Sequence, residues 1–293
     1  MKGIRKKLKI WTPGLLFLAP AFIFFAVFVL YPLVQAFIMS FQNITLQRRE
    51  WTGFGNYTQI FSDPVFIRSL TNTALMAVIN VPVVVLFSFF VSNVIYSRSE
   101  FIRAFVRGAF YIPAVSTIVS ISIVWLYIFN PNFGLLSYLA SMVGVENFSV
   151  MSNATTALIA MTVVLFTLNI GAPIILFTAA RGNLPSHYIE AAQIDGASRM
   201  QQTWRIVWPL LKPTTLYIVI ITTINSFQTF VIVRLISGGG PYHGTSTIVF
   251  LLYKAAFERG QFGLANAMGI VLTVIVVFIS VLQYSSLSSD VSY

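Results

Sequence analysis

The sequence predicts an all-α polytopic membrane protein with about six transmembrane helices, and three observations carry that expectation. Only 9% of its 293 residues are charged, while 57% are hydrophobic and 27 are Phe, giving a mean hydropathy of +0.83; a soluble domain carries roughly a quarter charged residues. The charges are gathered between long apolar runs, as a bilayer requires, since an ionised group at its centre costs about 2.5 to 3.5 kcal/mol even on lenient scales. All eight acidic residues and both histidines, His187 and His243, fall outside the predicted spans.

Six runs are long enough for the ~20 residues that cross a membrane: Ile10 to Gln47, Ser69 to Ser97, Gly108 to Val145, Asn147 to Ala180, Pro213 to Val233 and Gly260 to Ser289. Within them helices are expected near 14–40, 70–96, 106–130, 155–181, 214–237 and 264–285. A further uncharged run, Leu235 to Tyr253, contains Gly238, Gly239, Gly240 and Pro241, so it reads as a turn followed by a short interfacial helix near Thr247 to Phe257.

Lys and Arg counts set the orientation, because positive loops stay in the cytoplasm. With the N-terminus inside, 12 of the 18 basic residues are cytoplasmic, including Lys2 to Lys9, Arg98, Arg103, Arg107, Arg181, Arg199, Arg205 and Lys212. Both termini are then cytoplasmic, and the basic opening Met1 to Lys9 leads into an uncleaved first helix. The net charge of +10 is scattered rather than gathered on one face, which argues against nucleic acid. The chain has no cysteine, hence no disulfide framework or thiolate metal site. A proton- or sodium-coupled carrier is disfavoured, since no acidic residue or histidine lies within a span.

The longest inner loop, 183–212, runs Asn183-Leu184-Pro185-Ser186-His187-Tyr188-Ile189-Glu190-Ala191-Ala192-Gln193-Ile194-Asp195-Gly196-Ala197-Ser198 and on to Trp204-Arg205-Ile206-Val207-Trp208-Pro209. Pro185 and Ser186 suit a helix start, and Gly196 can take the left-handed position at its end. Ser198 with Gln201 fits a capping box for a second helix, which Pro209 is expected to end.

Glu190-Ala191-Ala192, then Gly196, Ile206 and Pro209 at their spacing resemble the EAA loop of binding-protein-dependent ABC permeases. The resemblance covers most of the chain: Pro20, Tyr31 and Pro32 in the first helix, Gly53-Phe54-Gly55-Asn56-Tyr57 after it, and the Gly239-Gly240-Pro241 turn. It looks like the carbohydrate-importer branch, on the MalF-like or UgpA-like side of its permease heterodimer. Departures are Trp208 where Leu is usual, Thr167 for a Trp, and Val231 for an Asp. The resemblance implies a type I ABC importer permease fold, with 1–293 as a single transmembrane domain and 70–290 as the permease core. It implies a chain forming half of the pathway for a sugar or oligosaccharide, in the bacterial cytoplasmic membrane. Expected partners are a second homologous permease, two ATPase subunits and an extracellular or periplasmic solute-binding protein. Glu190, Ala191, Ala192, Asp195 and Gly196 are then the residues that couple to the ATPase.

Gly239-Gly240-Pro241-Tyr242-His243-Gly244-Thr245-Ser246 almost spells a phosphate-binding loop, but Thr245 stands where the lysine is needed. The chain is therefore expected to hold no cofactor and no metal, with ATP and Mg bound by the partner ATPase.

For the solute path, Thr222, Asn225, Ser226 and Thr229 fall at helical spacing on one neutral polar stripe, with Gln228 beside it. The family places its permease-side sugar contacts on the matching stretch, and Phe227 and Phe230 could face a sugar ring. Asn169, Gly171 and Pro173 mark a second place where a broken helix could bring polar groups toward a cavity. Helix-to-helix hydrogen bonds or a packing kink would use the same residues. The alternative function is a membrane-embedded enzyme acting on lipid-linked sugars, for which Glu100, Asp195, His187 and His243 are the candidates. A scaffold or channel without ATP coupling would leave the EAA-like loop unexplained.

Overall fold

The computed structural model describes residues 14, 16–45, 48–145 and 148–287. The basic opening Met1 to Lys9, both termini and Asn147 lie outside them. The chain forms two compact units, Met1–Ser62 with Leu252–Val271, and Asp63–Leu251 with Leu272–Tyr293.

The first unit begins with α1 (Leu16–Ser40), a 25-residue helix long and apolar enough to cross a membrane, which widens by one residue per turn over Ala26–Leu30. A hairpin comes next, β1 (Gln42–Ile44) against β2 (Arg49–Trp51), with Gln42 opposite Trp51, and then α2 (Gly55–Ser62). The glycine-rich stretch read from the sequence has a clear structural use here. Gly53 sits at φ +56, the left-handed region that a side chain resists. Buried Asn56 donates to the carbonyls of Ser40 and Gln42 at 2.8 and 2.9 Å, satisfying backbone left open where α1 ends. Tyr57 Oη lies 2.6 Å from Ser40 Oγ. Gly263 belongs to the same unit, and a Cβ on it would stand 1.8 Å from the Gln42 carbonyl.

The second unit is organised around α3 (Pro64–Tyr96), 33 residues long, so about 50 Å. It starts six residues before the sequence expectation, because Asp63 accepts the Val65 N–H at 2.8 Å and caps it ahead of Pro64. Its buried face mixes polar and apolar residues: Ser69, Asn72, Thr73, Asn80, Ser88 and Ser92 point inward beside Phe66, Met76, Val84 and Phe89, whereas Val78, Leu86 and Phe90 face out. Lipid is as apolar as Leu, so small and polar residues mark the protein-facing side.

Three of the expected single helices are broken. The third opens earlier, at Glu100, and consists of α4 (Glu100–Val115) and α5 (Ile118–Ile128), bent by 98°. Pro113 lies two residues before α4 ends, and Thr117 caps α5 by accepting the Ser120 N–H at 3.1 Å. A short helix, α6 (Leu135–Met142), comes after it. The fourth consists of α7 (Ala154–Asn169) and α8 (Gly171–Gly182), bent by 43° at Ile170. Pro173, which lacks an N–H, stands just after the bend.

In the inner loop α9 (Ser186–Ile194) and α10 (Arg199–Leu210) meet at Gly196, as expected. Pro209, however, does not end the second helix. A wider turn over Thr203–Val207 closes with the Trp208 N–H on the Thr203 carbonyl, and Pro209 then has no N–H to leave unbonded. The helix ends instead at Leu211, from which α11 (Lys212–Phe227) departs at 69°.

The helix expected over 214–237 also stops early. Gln228, Thr229 and Phe230 lie outside it, and helical turns resume at Val231, with a wide turn over Val233–Ser237. No Gly or Pro signals this break. Its cause is tertiary: Thr247 Oγ1 donates to the Thr229 carbonyl at 2.7 Å. Gly238, at φ +59, ends the segment. The chain then reaches α12 (Ile248–Tyr253), extended by a wide turn over Lys254–Glu258, and α13 (Phe262–Leu287). Within the second unit Gln283 donates to Thr223 Oγ1 at 2.8 Å, holding the end of α13 to α11. Taking each bent pair as one span, the described residues hold up to six spans.

Helix α8 passes close to α4 at Gly171. A Cβ there would lie 2.6 Å from the Phe110 carbonyl and 3.0 Å from Tyr111 Cα, both backbone atoms. Gly171→Ala should therefore destabilise the detergent-solubilised protein by about 1–3 kcal/mol. Gly108→Ala, which meets nothing within 4 Å, should not. Thermal unfolding of both variants checks this, and equal melting temperatures would contradict it.

Candidate functional site

The break at Ser116–Thr117 and the break at Gln228–Phe230 face a common cavity of about 620 Å³. Its polar lining is Ser116, Asn169, Asn225, Gln228 and Thr229, set among apolar residues that include Pro113, Leu165 and Phe230. Among the described residues, none that is charged lines it. Size and chemistry suit a small polar solute, since ligand cavities are mostly apolar with a few converging polar groups. Asn225 Nδ2 lies 3.5 Å from Asn169 Oδ1, a long contact, and Asn169 Nδ2 is a buried donor with no partner on the protein. Such a donor recovers the cost of its burial when a hydroxyl accepts from it.

The polar stripe read from the sequence thus divides. Asn225, Gln228 and Thr229 reach the cavity, together with Asn169 from α7. Thr222 and Ser226 lie off it, 2% and 0% exposed, where Ser226 Oγ accepts from Asn80 Nδ2 at 3.0 Å and donates to the Thr222 carbonyl at 2.7 Å. Gly171 is likewise a packing position rather than part of the lining. Ser116 joins the lining unforeseen, although Pro113 with the cap-forming Thr117 after it was a readable signal of a broken helix.

The second candidate is the loop from α9 to α10. Gly196 has φ +74, its N–H bonds the Gln193 carbonyl at 3.0 Å, and the Ala197 N–H bonds the Ala192 carbonyl at 2.9 Å. These two bonds are the Schellman closure that a left-handed glycine permits. Ser198 and Gln201 form the expected capping box. Glu190, Ala191 and Asp195 are exposed, whereas Ala192 is buried.

Aromatic rings hold this loop to the bundle. Trp208 meets the Phe89 ring edge-on with centroids 4.6 Å apart, Trp204 lies 5.8 Å from Phe89, and Phe177 of α8 lies 5.7 Å away on the same ring. Ile189 of α9 packs against the cluster that Phe89, Phe177, Val207, Leu211 and Ile218 form. A push on α9 therefore reaches α3, α8 and α11 through one close-packed group.

The P-loop-like string is closed on itself. The Gly240, Gly244 and Thr245 N–H groups bond the carbonyls of Ser237, Pro241 and Gly239, and Thr245 Oγ1 donates to the Gly240 carbonyl at 2.7 Å. Those donors are used within the turn and do not form a phosphate cradle. The residues weighed for an enzyme do not form one cluster: Glu100 on α4 pairs with Arg103 and Arg107 at 2.7 and 2.8 Å, His187 and the exposed Asp195 lie at opposite ends of α9, and His243 lies in the turn before α12.

The division of the stripe separates two variants. Asn225→Leu should cut solute uptake by roughly tenfold with little loss of stability, because it removes a cavity amide. Ser226→Ala should instead lower stability by about 1–3 kcal/mol, since it strands the buried Asn80 amide. Uptake assays and melting curves on both distinguish them, and the reverse assignment would refute this geometry.

A family model described as the binding-protein-dependent transport system inner membrane component matches residues 65–287. The probable ABC transporter permease protein YesP of Bacillus subtilis is 31% identical, across 100% of this chain and 96% of that protein. The permease protein MsmF of the multiple sugar-binding transport system of Streptococcus mutans is 30% identical, across 96% of each chain. The fold matches a chain of the bacterial alginate ABC transporter, crystallised in complex with its alginate pentasaccharide-bound periplasmic protein, with a TM-score of 0.82. That match has 21% identity and covers 96% of this chain and 95% of the other. A helical membrane bundle, a glycine-closed loop seated on it and a match over three quarters of its length together place this chain in the family of inner membrane components of binding-protein-dependent transport systems.

Proposed function

We propose that this permease forms half of the translocation path for an uncharged sugar or oligosaccharide and that the α9–α10 loop couples the path to ATP hydrolysis on partner subunits. The observation that carries the reading is the cavity of about 620 Å³, whose polar lining among apolar residues is amides and hydroxyls with no charged group among the described residues, beside the break in the helix after α11. A sugar offers hydroxyls to Asn169, Asn225, Gln228 and Thr229 and an apolar ring face to Phe230. The multiple sugar-binding relative and the alginate transporter support a carbohydrate substrate. The absence of a cationic residue from the lining favours a neutral one over an acidic polysaccharide.

The partners in this reading are a second homologous permease, two ATPase subunits that hold ATP and Mg, and a solute-binding protein that delivers the sugar. The chain lies in the cytoplasmic membrane with both termini and the α9–α10 loop inside, as the 12-to-6 division of Lys and Arg favours. ATP binding shifts the balance between inward- and outward-open states only as far as the partner contacts the two differently. The exposed Glu190 supplies a charge-assisted contact, and Gly196 fixes the angle between the helices. The motion then passes through Ile189, Trp208 and Phe89 to the helices beside the cavity.

Glu190→Ala should lower solute-stimulated ATP hydrolysis and uptake together by roughly tenfold, the value of one charge-assisted contact. Gly196→Leu should do the same by straining the left-handed turn by about 1–2 kcal/mol. Proteoliposomes containing the assembled transporter test both, with retained ATPase subunit measured alongside. Normal stimulated hydrolysis and normal uptake in both variants would show that the loop does not couple.

A further inference from the structure

A second recess, of about 430 Å³, opens where the apolar stretch of α3 ends, and its lining differs sharply from that of the first cavity. It gathers Asn93, Tyr96 and Arg98 from the end of α3, Arg181 from α8, Gln193 from α9 and Arg199 from the start of α10. Three arginines line it and, among the described residues, no carboxylate does. Among the described residues none of the three forms an ion pair, although Glu100 a short distance along the chain is taken up by Arg103 and Arg107. Glu190 borders a smaller adjoining cavity that Arg181 also lines, again without an ion pair.

Arg181 is held in place from two sides. One of its terminal nitrogens donates to Asn93 Oδ1, while Asn93 Nδ2 donates to Thr203 Oγ1 at 3.2 Å, which fixes the amide. The guanidinium lies over the Tyr96 ring at 4.4 Å, and its Nε is buried with no hydrogen-bond partner. Like charges in one recess repel, and an anion removes that penalty. The forked guanidinium matches the oxygens of a phosphate. Val94, an exposed apolar residue on the same rim, continues the recess toward the lipid-facing surface of α3. Basic pockets between membrane helices take anionic headgroups for these reasons.

We propose that this recess is a binding site for a phosphate group, carried by an anionic lipid headgroup or free in solution. Its occupant joins the end of α3 to α8, α9 and α10, and so braces the coupling loop. The proposal rests on this chain's own residues and is independent of which solute is carried.

The test uses the assembled transporter as wild type, as Arg98→Gln/Arg199→Gln, as Arg181→Gln, and as Arg205→Gln/Lys212→Gln, which removes equal charge from exposed residues outside the recess. One probe is phosphatidylglycerol against phosphatidylcholine, counted by native mass spectrometry after extraction from nanodiscs. The other is inorganic phosphate, titrated calorimetrically in uncharged detergent. The wild type should bind at least one probe, and the Arg98/Arg199 double variant should bind it on the order of tenfold more weakly. The control pair should bind as the wild type does. Retention of phosphatidylglycerol alone identifies a headgroup, and a phosphate titration alone identifies a free anion. Arg181→Gln should lose binding further; if it fails to fold, the exposed pair still decides the matter. Absence of both probes from the wild type, wild-type binding by the Arg98/Arg199 variant, or an equal loss in the control pair would overturn the proposal.

Discussion

Inside a bilayer no water is available to satisfy a polar group, so each one on a protein-facing surface must find its partner within the chain. Helix α3 is built on this constraint. Ser69 donates to Ser246, Asn72 to the carbonyls of His243 and Ser246, and Thr73 accepts the Ile248 N–H at 3.1 Å. Asn80 reaches Ser226 on α11 at 3.0 Å, and near the other end Asn93 meets Thr203 and Arg181. One helix thereby fixes the loop before α12, helix α11 and the inner loop in a single register. A hydrophobic stripe could not do so, because in lipid it has no preference for protein over solvent.

The same constraint explains why non-helical backbone occurs where it does. Exposed to lipid, the carbonyls freed at Ser116–Thr117 and at Gln228–Phe230 would be costly. Here Thr117 caps the next helix, Thr247 donates to the Thr229 carbonyl, and both breaks line a polar cavity. Breaking the helices and opening the cavity are therefore one structural event. Chain that leaves the helix can survive at this depth only beside a cavity or buried in protein.

The inner loop is seated by different chemistry. Rings and aliphatic groups around Phe89 hold it, interlocking without directional bonds. Trp208, a departure from the usual Leu, enlarges that contact instead of weakening it, since its ring meets Phe89 edge-on at 4.6 Å. Polar bonds on α3 thus set register, and the aromatic group holds the inner loop against the bundle.

Hydropathy, charge gaps and short local motifs made much of this legible from the sequence. The membrane class comes from the scarcity of charge, the loop from Gly196, whose left-handed φ few other residues tolerate, and the cap from Ser198 and Gln201 three positions apart. Each is a local property, settled within about one helical turn. The early end of α11, the passage of α10 through Pro209 and the split of Thr222 and Ser226 from Asn225 and Thr229 were not legible. Those depend on which group meets Thr229's carbonyl, which turn widens before a proline, and which side of a stripe another helix covers. The three arginines that share the inner recess come from positions 98, 181 and 199, and only packing of α3, α8 and α10 makes them neighbours. Sequence determined which segments enter the membrane because partition into lipid is decided segment by segment, whereas the sites were decided by tertiary structure because they are made where segments meet.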